Sequence, residues 1–110
     1  MITKEKYPKA FELYKNWIKA ETKIRTNVDD QFIDGMVTDD LVAMSINRAS
    51  RDLYDFLDHI KVIVSVWNDG QGWRYRVDDG IFPVVVSIQG ERKLSEEKAF
   101  TEAFDRLERK

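Results

Sequence analysis

The chain has 110 residues, of which 43% are hydrophobic, and a formal net charge of −2. This length and composition predict a single folded domain, residues 1–110, and argue against a disordered chain. The absence of cysteine excludes disulfides, thiol catalysis and thiolate metal sites. No apolar run is long enough to cross a bilayer and no secretory signal is recognisable, so we expect a cytoplasmic protein without membrane contact.

The small net charge conceals two adjacent blocks of opposite sign. Residues 1–25 carry seven Lys or Arg and three Glu, whereas residues 29–58 carry eight Asp and two Arg. One interpretation is that the blocks attract each other across packed helices. The other is that the Asp-rich block forms an outward acidic face for a basic partner, with Asp52, Asp55 and Asp58 as its candidate residues.

The N-terminal segment predicts a helix from about Lys6 to about Arg25. Its apolar residues recur every three or four positions, and Pro8 suits the first turn. The next segment, residues 27–38, permits a small hairpin around Asp34-Gly35 or a short helix that begins at Asp29 or Asp30 and ends at Gly35. We favour a short helix or turn, because two-residue arms make a poor sheet.

A second long helix is predicted from Thr38 or Asp39 to about Ile60, roughly five turns in length. Its apolar residues step by four and three without interruption: Val42, Ile46, Ala49, Leu53, Phe56 and Ile60. On its solvent face, we expect Arg48 to pair with Asp52 and Arg51 to pair with Asp55. The only histidine, His59, is interpreted as a helix-end residue and not as a catalytic or zinc-binding group.

From residue 60 to residue 88 the apolar period changes to two, which predicts three strands of an antiparallel meander. A final helix is predicted with Ser95 as its N-cap and Leu94 packed just before it. The predicted fold class is therefore α+β: two or three N-terminal helices, a three-stranded antiparallel meander and a C-terminal helix.

The two Asp-Gly pairs between the strands are interpreted as turns. A two-residue turn at Asp69-Gly70 places Val66 opposite Trp73, Val64 opposite Tyr75 and Lys61 opposite Asp78. In the second hairpin, a four-residue loop closed by Val77 and Phe82 points the nitrogen of Pro83 away from the second strand, which makes the third strand an edge.

Neither turn resembles a known ligand loop. A calcium loop needs oxygen ligands at alternate positions and a distal Glu, and a phosphate loop needs a following helix. No motif implies a metal or a cofactor, so none is expected.

The sheet face directed away from the predicted core is rich in Arg, Trp and aliphatic residues, namely Lys61, Ile63, Trp67, Arg74, Arg76, Ile81 and Val85. Trp and Arg are enriched at binding hot spots. Either the N-terminal helix covers this face in a three-layer domain, or the face is free for a partner.

These features predict a small intracellular, non-catalytic protein-binding domain of regulatory, adaptor or inhibitor type, which forms a homodimer. Its candidate binding residues are Lys61, Ile63, Trp67, Arg74 and Arg76. The first alternative is a protein that binds nucleic acid, or mimics it through the Asp block, although a pI near 5.4 opposes nucleic-acid binding. The second alternative is a metal-dependent enzyme that uses Asp carboxylates.

Overall fold

A computed structural model describes residues 2–88, apart from the side chain of Ile88, and residues 90–110. It confirms the predicted α+β class: N-terminal helices precede a three-stranded antiparallel meander, and a C-terminal helix packs on the sheet. The elements in chain order are α1 (Pro8–Thr26), α2 (Asp30–Met36), α3 (Asp39–Asn47), α4 (Arg51–His59), β1 (Ile63–Asn68), β2 (Trp73–Asp78), β3 (Val84–Ile88) and α5 (Arg92–Arg109).

The first two helices lie close to their predicted positions. α1 begins at Pro8 and ends before Asn27, whose φ of 52° lies in the left-handed region. The ambiguous segment forms the short helix α2, with Asp29 at its N-cap. Gly35 lies inside α2 and does not end it, and Val37 occupies the C-cap. The hairpin alternative is therefore wrong.

The single five-turn helix predicted after Thr38 is also wrong, because the chain bends sharply between α3 and α4. Ala49 has a φ of 48°, and the Ser50 hydroxyl accepts a hydrogen bond from the Leu53 backbone N–H at 3.3 Å. Ser50 thereby caps a new helix. We call this bend, at Ala49 and Ser50, the elbow. The apolar period did not indicate it, because Val42 before the elbow and Phe56 after it are both buried in one core.

A partly buried hydroxyl cluster joins the elbow to α1. The Tyr14 hydroxyl lies 2.5 Å from the Ser45 Oγ atom, which lies 2.6 Å from the Ser50 Oγ atom. The aromatic ring of Tyr14 also packs on Phe56, at 5.0 Å between ring centroids. Residues from three helices thus meet at one point.

The sheet has the strand order β1-β2-β3, and both hairpins differ from the predicted register by two residues. Val66 lies opposite Tyr75, not Trp73, and Val77 lies opposite Val84, not Phe82. A shift of two residues leaves every side chain on its predicted face. Phe82 is the exception, because it falls in the connecting loop, where it is 71% exposed.

Side-chain hydrogen bonds in the turns explain the shift. In the first turn, the Asn68 Oδ1 atom accepts from the Gly70 N–H at 2.8 Å. The Asp69 Oδ1 atom accepts from the N–H groups of Gln71 and Gly72, at 2.9 and 3.1 Å. A type I′ turn needs positive φ at both central residues, and Gly70 has it (φ 90°) whereas Asp69 does not.

The second turn repeats this arrangement ten residues later. The Asp78 Oδ1 atom accepts from the Gly80 N–H at 2.8 Å, and the Asp79 Oδ1 atom accepts from the N–H groups of Ile81 and Phe82 at 2.9 and 3.0 Å. Each connection is two residues longer than predicted, because residues 69–72 separate the last pair of the first hairpin and residues 78–83 separate that of the second. The predicted lengths were therefore wrong, but the second connection is longer than the first, as predicted.

The core lies between the inner face of the sheet and α5. Val64, Tyr75 and Val77 are buried on the sheet, and Phe100 and Phe104 are buried on α5. α1 packs against α5 and against each of the other three helices. The three-layer alternative, in which the N-terminal helix covers the other sheet face, is therefore not the observed fold.

The C-terminal helix begins earlier than predicted. Its N-cap is Glu91, and Ser95 lies inside it, fully buried. None of the helices described is long and apolar enough to span a membrane.

Candidate binding surface

The surface of interest is the side of the sheet opposite α5, here called the outer sheet face. Antiparallel pairing arranges its residues in cross-strand rows. One row contains Trp67, Arg74 and Ser87, and the next contains Ser65, Arg76 and Val85. A third row pairs Ile63 with Asp78. Directly opposed residues share a face, so these rows form one continuous surface.

Large apolar groups are exposed across this surface. Ile63 is 55% exposed, Val85 is 54% exposed and Trp67 is 37% exposed. Ile81, in the adjacent turn, is 68% exposed. Polar residues separate these apolar groups on the strands, since Trp67 lies opposite Arg74 and Val85 lies opposite Arg76. Among residues 2–88 and 90–110, no helix covers the face that the sequence identified.

Each arginine of the outer sheet face is held by a neighbouring aspartate. Arg74 forms an ion pair with Asp69, and the Arg76 Nη2 atom lies 2.9 Å from the Asp78 Oδ2 atom. Hydrogen bonds from the backbone N–H of Gln71 and from Arg74 lower the pKa of Asp69. Each guanidinium has five N–H donors, so further donors remain for a partner's carboxylates or carbonyl groups.

Lys61 does not take its predicted place opposite Asp78. The two-residue shift places Ile63 there, and Lys61 lies before β1 with a φ of 67°. The predicted charge pair between Lys61 and Asp78 is therefore wrong. Of the five candidate binding residues, the structure places Ile63, Trp67, Arg74 and Arg76 on the paired strands β1 and β2, and Lys61 lies two residues before β1.

The acidic and basic blocks of the sequence pair with one another, as the first interpretation proposed. The distances between the charged groups are 2.9 Å for Lys4–Asp39, 2.8 Å for Lys15–Asp39, 3.0 Å for Lys19–Asp34 and 3.6 Å for Lys23–Asp30. All four pairs join residues 4–23 to the Asp-rich block, in which they engage three of the eight aspartates, namely Asp30, Asp34 and Asp39.

The residues proposed for an acidic face are only partly available. Asp52 lies 3.8 Å from the Arg25 Nη2 atom, and not beside Arg48, because the elbow separates Arg48 from α4. Asp55 and Asp58 are exposed on α4. His59 occupies the last turn of α4, as predicted. Within residues 2–88 and 90–110, no three His, Asp or Glu side chains are grouped so as to hold a metal ion.

Sequence reasoning missed a groove of about 680 Å³ between the elbow and the first turns of α5. Its lining combines aliphatic, aromatic and charged groups, including Ile46, Arg48, Leu94, Lys98 and Phe100. Arg48 and Ala49 of the bend are among its lining residues. The Ser at position 50 was the available signal, since it is a good N-cap in the middle of an apparently unbroken helix.

Comparison with known proteins assigns no relative. No family model matches the chain, and no curated protein or solved structure matches it significantly. The surface chemistry of the chain itself is therefore the basis for inferring a function.

Proposed function

We propose that the chain is a non-catalytic protein-binding domain whose partner docks on the outer sheet face. The observation that carries the proposal is the exposure of Trp67, Ile63 and Val85 beside two arginines. Antiparallel sheets commonly turn one face to the core and one to water, and the water-facing one is normally polar. This one is not.

The chemistry of the face suggests the character of its partner. Trp67 and Ile63 supply apolar area, and Arg74 and Arg76 supply directed hydrogen-bond donors. A partner with apolar side chains ringed by carboxylates or backbone carbonyls would complement both. Trp and Arg are the residue types that most often carry binding energy at such surfaces.

Nucleic acid is the second candidate for the same face. The observation in its favour is Trp67 in one row with Arg74, an arrangement that would stack a base and contact phosphate. Against it, Asp69 and Asp78 already engage the two arginines, and the chain as a whole is acidic. Affinity for an oligonucleotide that falls steeply with salt would favour this candidate.

The test compares two variants of the face with two matched variants elsewhere. Trp67→Ala and Arg76→Ala remove groups from the outer sheet face, whereas Phe32→Ala and Arg51→Ala remove an exposed aromatic and an exposed arginine from α2 and α4. A pull-down from the source cells should retain the same partner on the wild type and on both control variants. We expect the two face variants to lose it.

Titration with the captured partner then measures how much affinity each variant loses. A hot-spot residue contributes about 2 kcal/mol or more, so Trp67→Ala should weaken the complex by about thirty-fold. Circular dichroism checks that each variant keeps its fold. If all four variants bind equally, the outer sheet face is not the binding site.

A further inference from the structure

The edge formed by β3 is a second candidate surface, separate from the side chains of the outer sheet face. β3 is the last strand in the order β1-β2-β3, and the residues Val84–Ile88 include no charged side chain. Natural proteins usually protect an edge strand with lysine, a bulge or a covering element, because unpaired backbone groups bind other strands.

The hydrogen-bond pattern identifies which groups of β3 are unpaired. The Asp69 N–H donates to the Gly72 carbonyl oxygen at 3.2 Å, which makes residues 69 and 72 a bonded pair. Bonded and non-bonded pairs alternate along an antiparallel ladder. On β2, Tyr75 and Val77 therefore bond with β3, through their partners Val86 and Val84.

The alternate residues of β3 must then point their backbone groups outward. These are Val85 and Ser87, each with one N–H and one carbonyl directed away from β2. The same parity turns the nitrogen of Pro83 outward, where the missing N–H removes no bond from the ladder. This part of the prediction made for Pro83 agrees with the register, although the pairing partner of Val77 is different.

Little covers this edge in the part of the chain that the structure describes. α5 packs mainly on β1 and β2, and Val84 and Val86 are only partly buried. The exposed side chain of Val85 stands at the same edge. The β1 edge differs, since α4 packs against β1.

We propose that a second copy of this chain pairs with β3 in antiparallel orientation, so that two sheets join into one of six strands. A two-fold axis at Val86 sets Val85 of each copy opposite Ser87 of the other. Both residues then exchange N–H and carbonyl groups, which gives about four hydrogen bonds between the copies. An interface of this kind is closed and self-complementary.

The charges at the two ends of β3 favour this orientation. The segment before β3 carries Asp78 and Asp79, which contact Arg76 and Arg106 of the same chain, and the segment after β3 carries Glu91, Arg92 and Lys93, with a net charge of +1. An antiparallel pair brings the acidic end of one copy to the basic end of the other. The net charge of −2 per chain adds little repulsion.

Pairing through one short strand buries little area, so we expect a weak dimer. The fraction of chains in the dimer should therefore rise with protein concentration. Sedimentation or light scattering on the wild type should show a mass that rises with concentration from 13.0 kDa towards twice that value. A wild type that stays at 13.0 kDa at millimolar concentration overturns the proposal.

The deciding variants are Ser87→Pro and its matched control Ser87→Ala. Proline removes the outward N–H and spares the bonds to β2, whereas alanine removes only the hydroxyl. Loss of two backbone hydrogen bonds per dimer should weaken association by tenfold or more. Equal association of the two variants would contradict β3 pairing.

Hydrogen exchange on the wild type provides a test that needs no variant. The amide protons of Val85 and Ser87 should exchange more slowly as concentration rises, because pairing protects them. Those of Val84 and Val86 are already bonded to β2 and should change less. Exchange at Val85 and Ser87 that is independent of concentration overturns the proposal. The outcome is distinct from that for the proposed function, since neither Trp67 nor Arg76 is altered.

Discussion

Asp39 shows how one side chain connects the basic N-terminal region to the Asp-rich helices. Its two carboxylate oxygens contact different lysines, Lys15 at 2.8 Å and Lys4 at 2.9 Å. Hydrogen bonds from Lys15 and Lys4 lower the pKa of Asp39 from 3.8 to about 2. The sequence predicted that the two blocks would pair, but it did not identify Asp39 as the residue that joins two lysines.

The lowered pKa gives the folded protein a defined sensitivity to acid. Below pH 3.8 the unfolded chain binds a proton at Asp39 more readily than the folded chain, so protonation favours unfolding. The stabilisation is complete well above the unfolded pKa of 3.8, from about pH 5, and is lost progressively as pH falls through the folded pKa of about 2. We expect the melting temperature to fall across this window.

The Asp39→Asn variant tests this, because asparagine cannot titrate. Thermal melts followed by circular dichroism between pH 2 and pH 6 should show a shallower acid dependence for Asp39→Asn than for the wild type. Asp40→Asn is the matched control, since Asp40 is the neighbouring exposed carboxylate on α3. Identical pH profiles for wild type and Asp39→Asn would contradict the assigned role.

Among the elements, the strands were the easiest to predict and the elbow was the hardest. Alternating Val and polar residues specify which face of a strand is buried, and in the structure the predicted faces are directed toward the core. The register was not predictable in the same way, because a shift of two residues leaves the faces unchanged. Hydrogen bonds from turn backbone to the carboxylates of Asp69 and Asp79 decide it, and hydrophobic pattern does not report them.

The elbow was missed for a related reason. A left-handed residue between two helices changes the direction of the chain, but the apolar residues on both sides still reach one core. Ala49 adopts this conformation with a φ of 48°, although a side chain makes it costly. Glycine is the residue that usually occupies such a position.

The strain at the elbow can be measured with Ala49→Gly. Relief of the left-handed strain exceeds the added flexibility of the unfolded chain, so we expect stability to rise by about 0.5–1 kcal/mol. The control is Ala43→Gly within α3, where glycine should cost about 1 kcal/mol. Urea denaturation gives both values. Equal losses in the two variants would mean that Ala49 is not strained.

At the scale of the whole molecule, α5 connects the parts of the fold. It packs on β1, β2 and α1, and its fully buried Phe104 lies 6.2 Å from the ring of Tyr7, edge to face. At the end of the sheet, the Arg106 Nη1 atom lies 3.3 Å from the Asp79 Oδ1 atom of the second turn. The helices and the sheet therefore share one core, and we expect them to unfold together.

The variant Phe104→Ala tests this unity. Truncation of a fully buried phenylalanine costs about 3–5 kcal/mol, and that loss should be the same for the helical and the sheet regions. Single-tryptophan variants that keep Trp17 or Trp73 report on each region separately during urea unfolding. Leu94→Ala, an exposed change on the same helix, should cost less than about 0.5 kcal/mol. A smaller loss at one reporter than at the other would reveal two independent units.

More of the candidate site than of the helix arrangement could be predicted from the sequence. The identity and facing of Trp67, Arg74 and Arg76 depend only on strand alternation, which local pattern specifies. Whether α1 covers that face depends on contacts between segments far apart in the chain, and no local pattern encodes those. The structure places α1 against the helices and leaves the face open.

One long-range contact has a consequence for the path of the chain. The Ala10 N–H donates to the Glu108 Oε1 atom at 2.8 Å, across 98 positions of sequence. The start of α1 therefore lies beside the end of α5, so the two ends of the described fold are close together. Joining these ends and opening the backbone at another position should leave the fold intact. A circular permutant with a short flexible linker between the present termini, opened between the exposed residues Gly70 and Gln71, would retain the core and divide the first hairpin into its two strands.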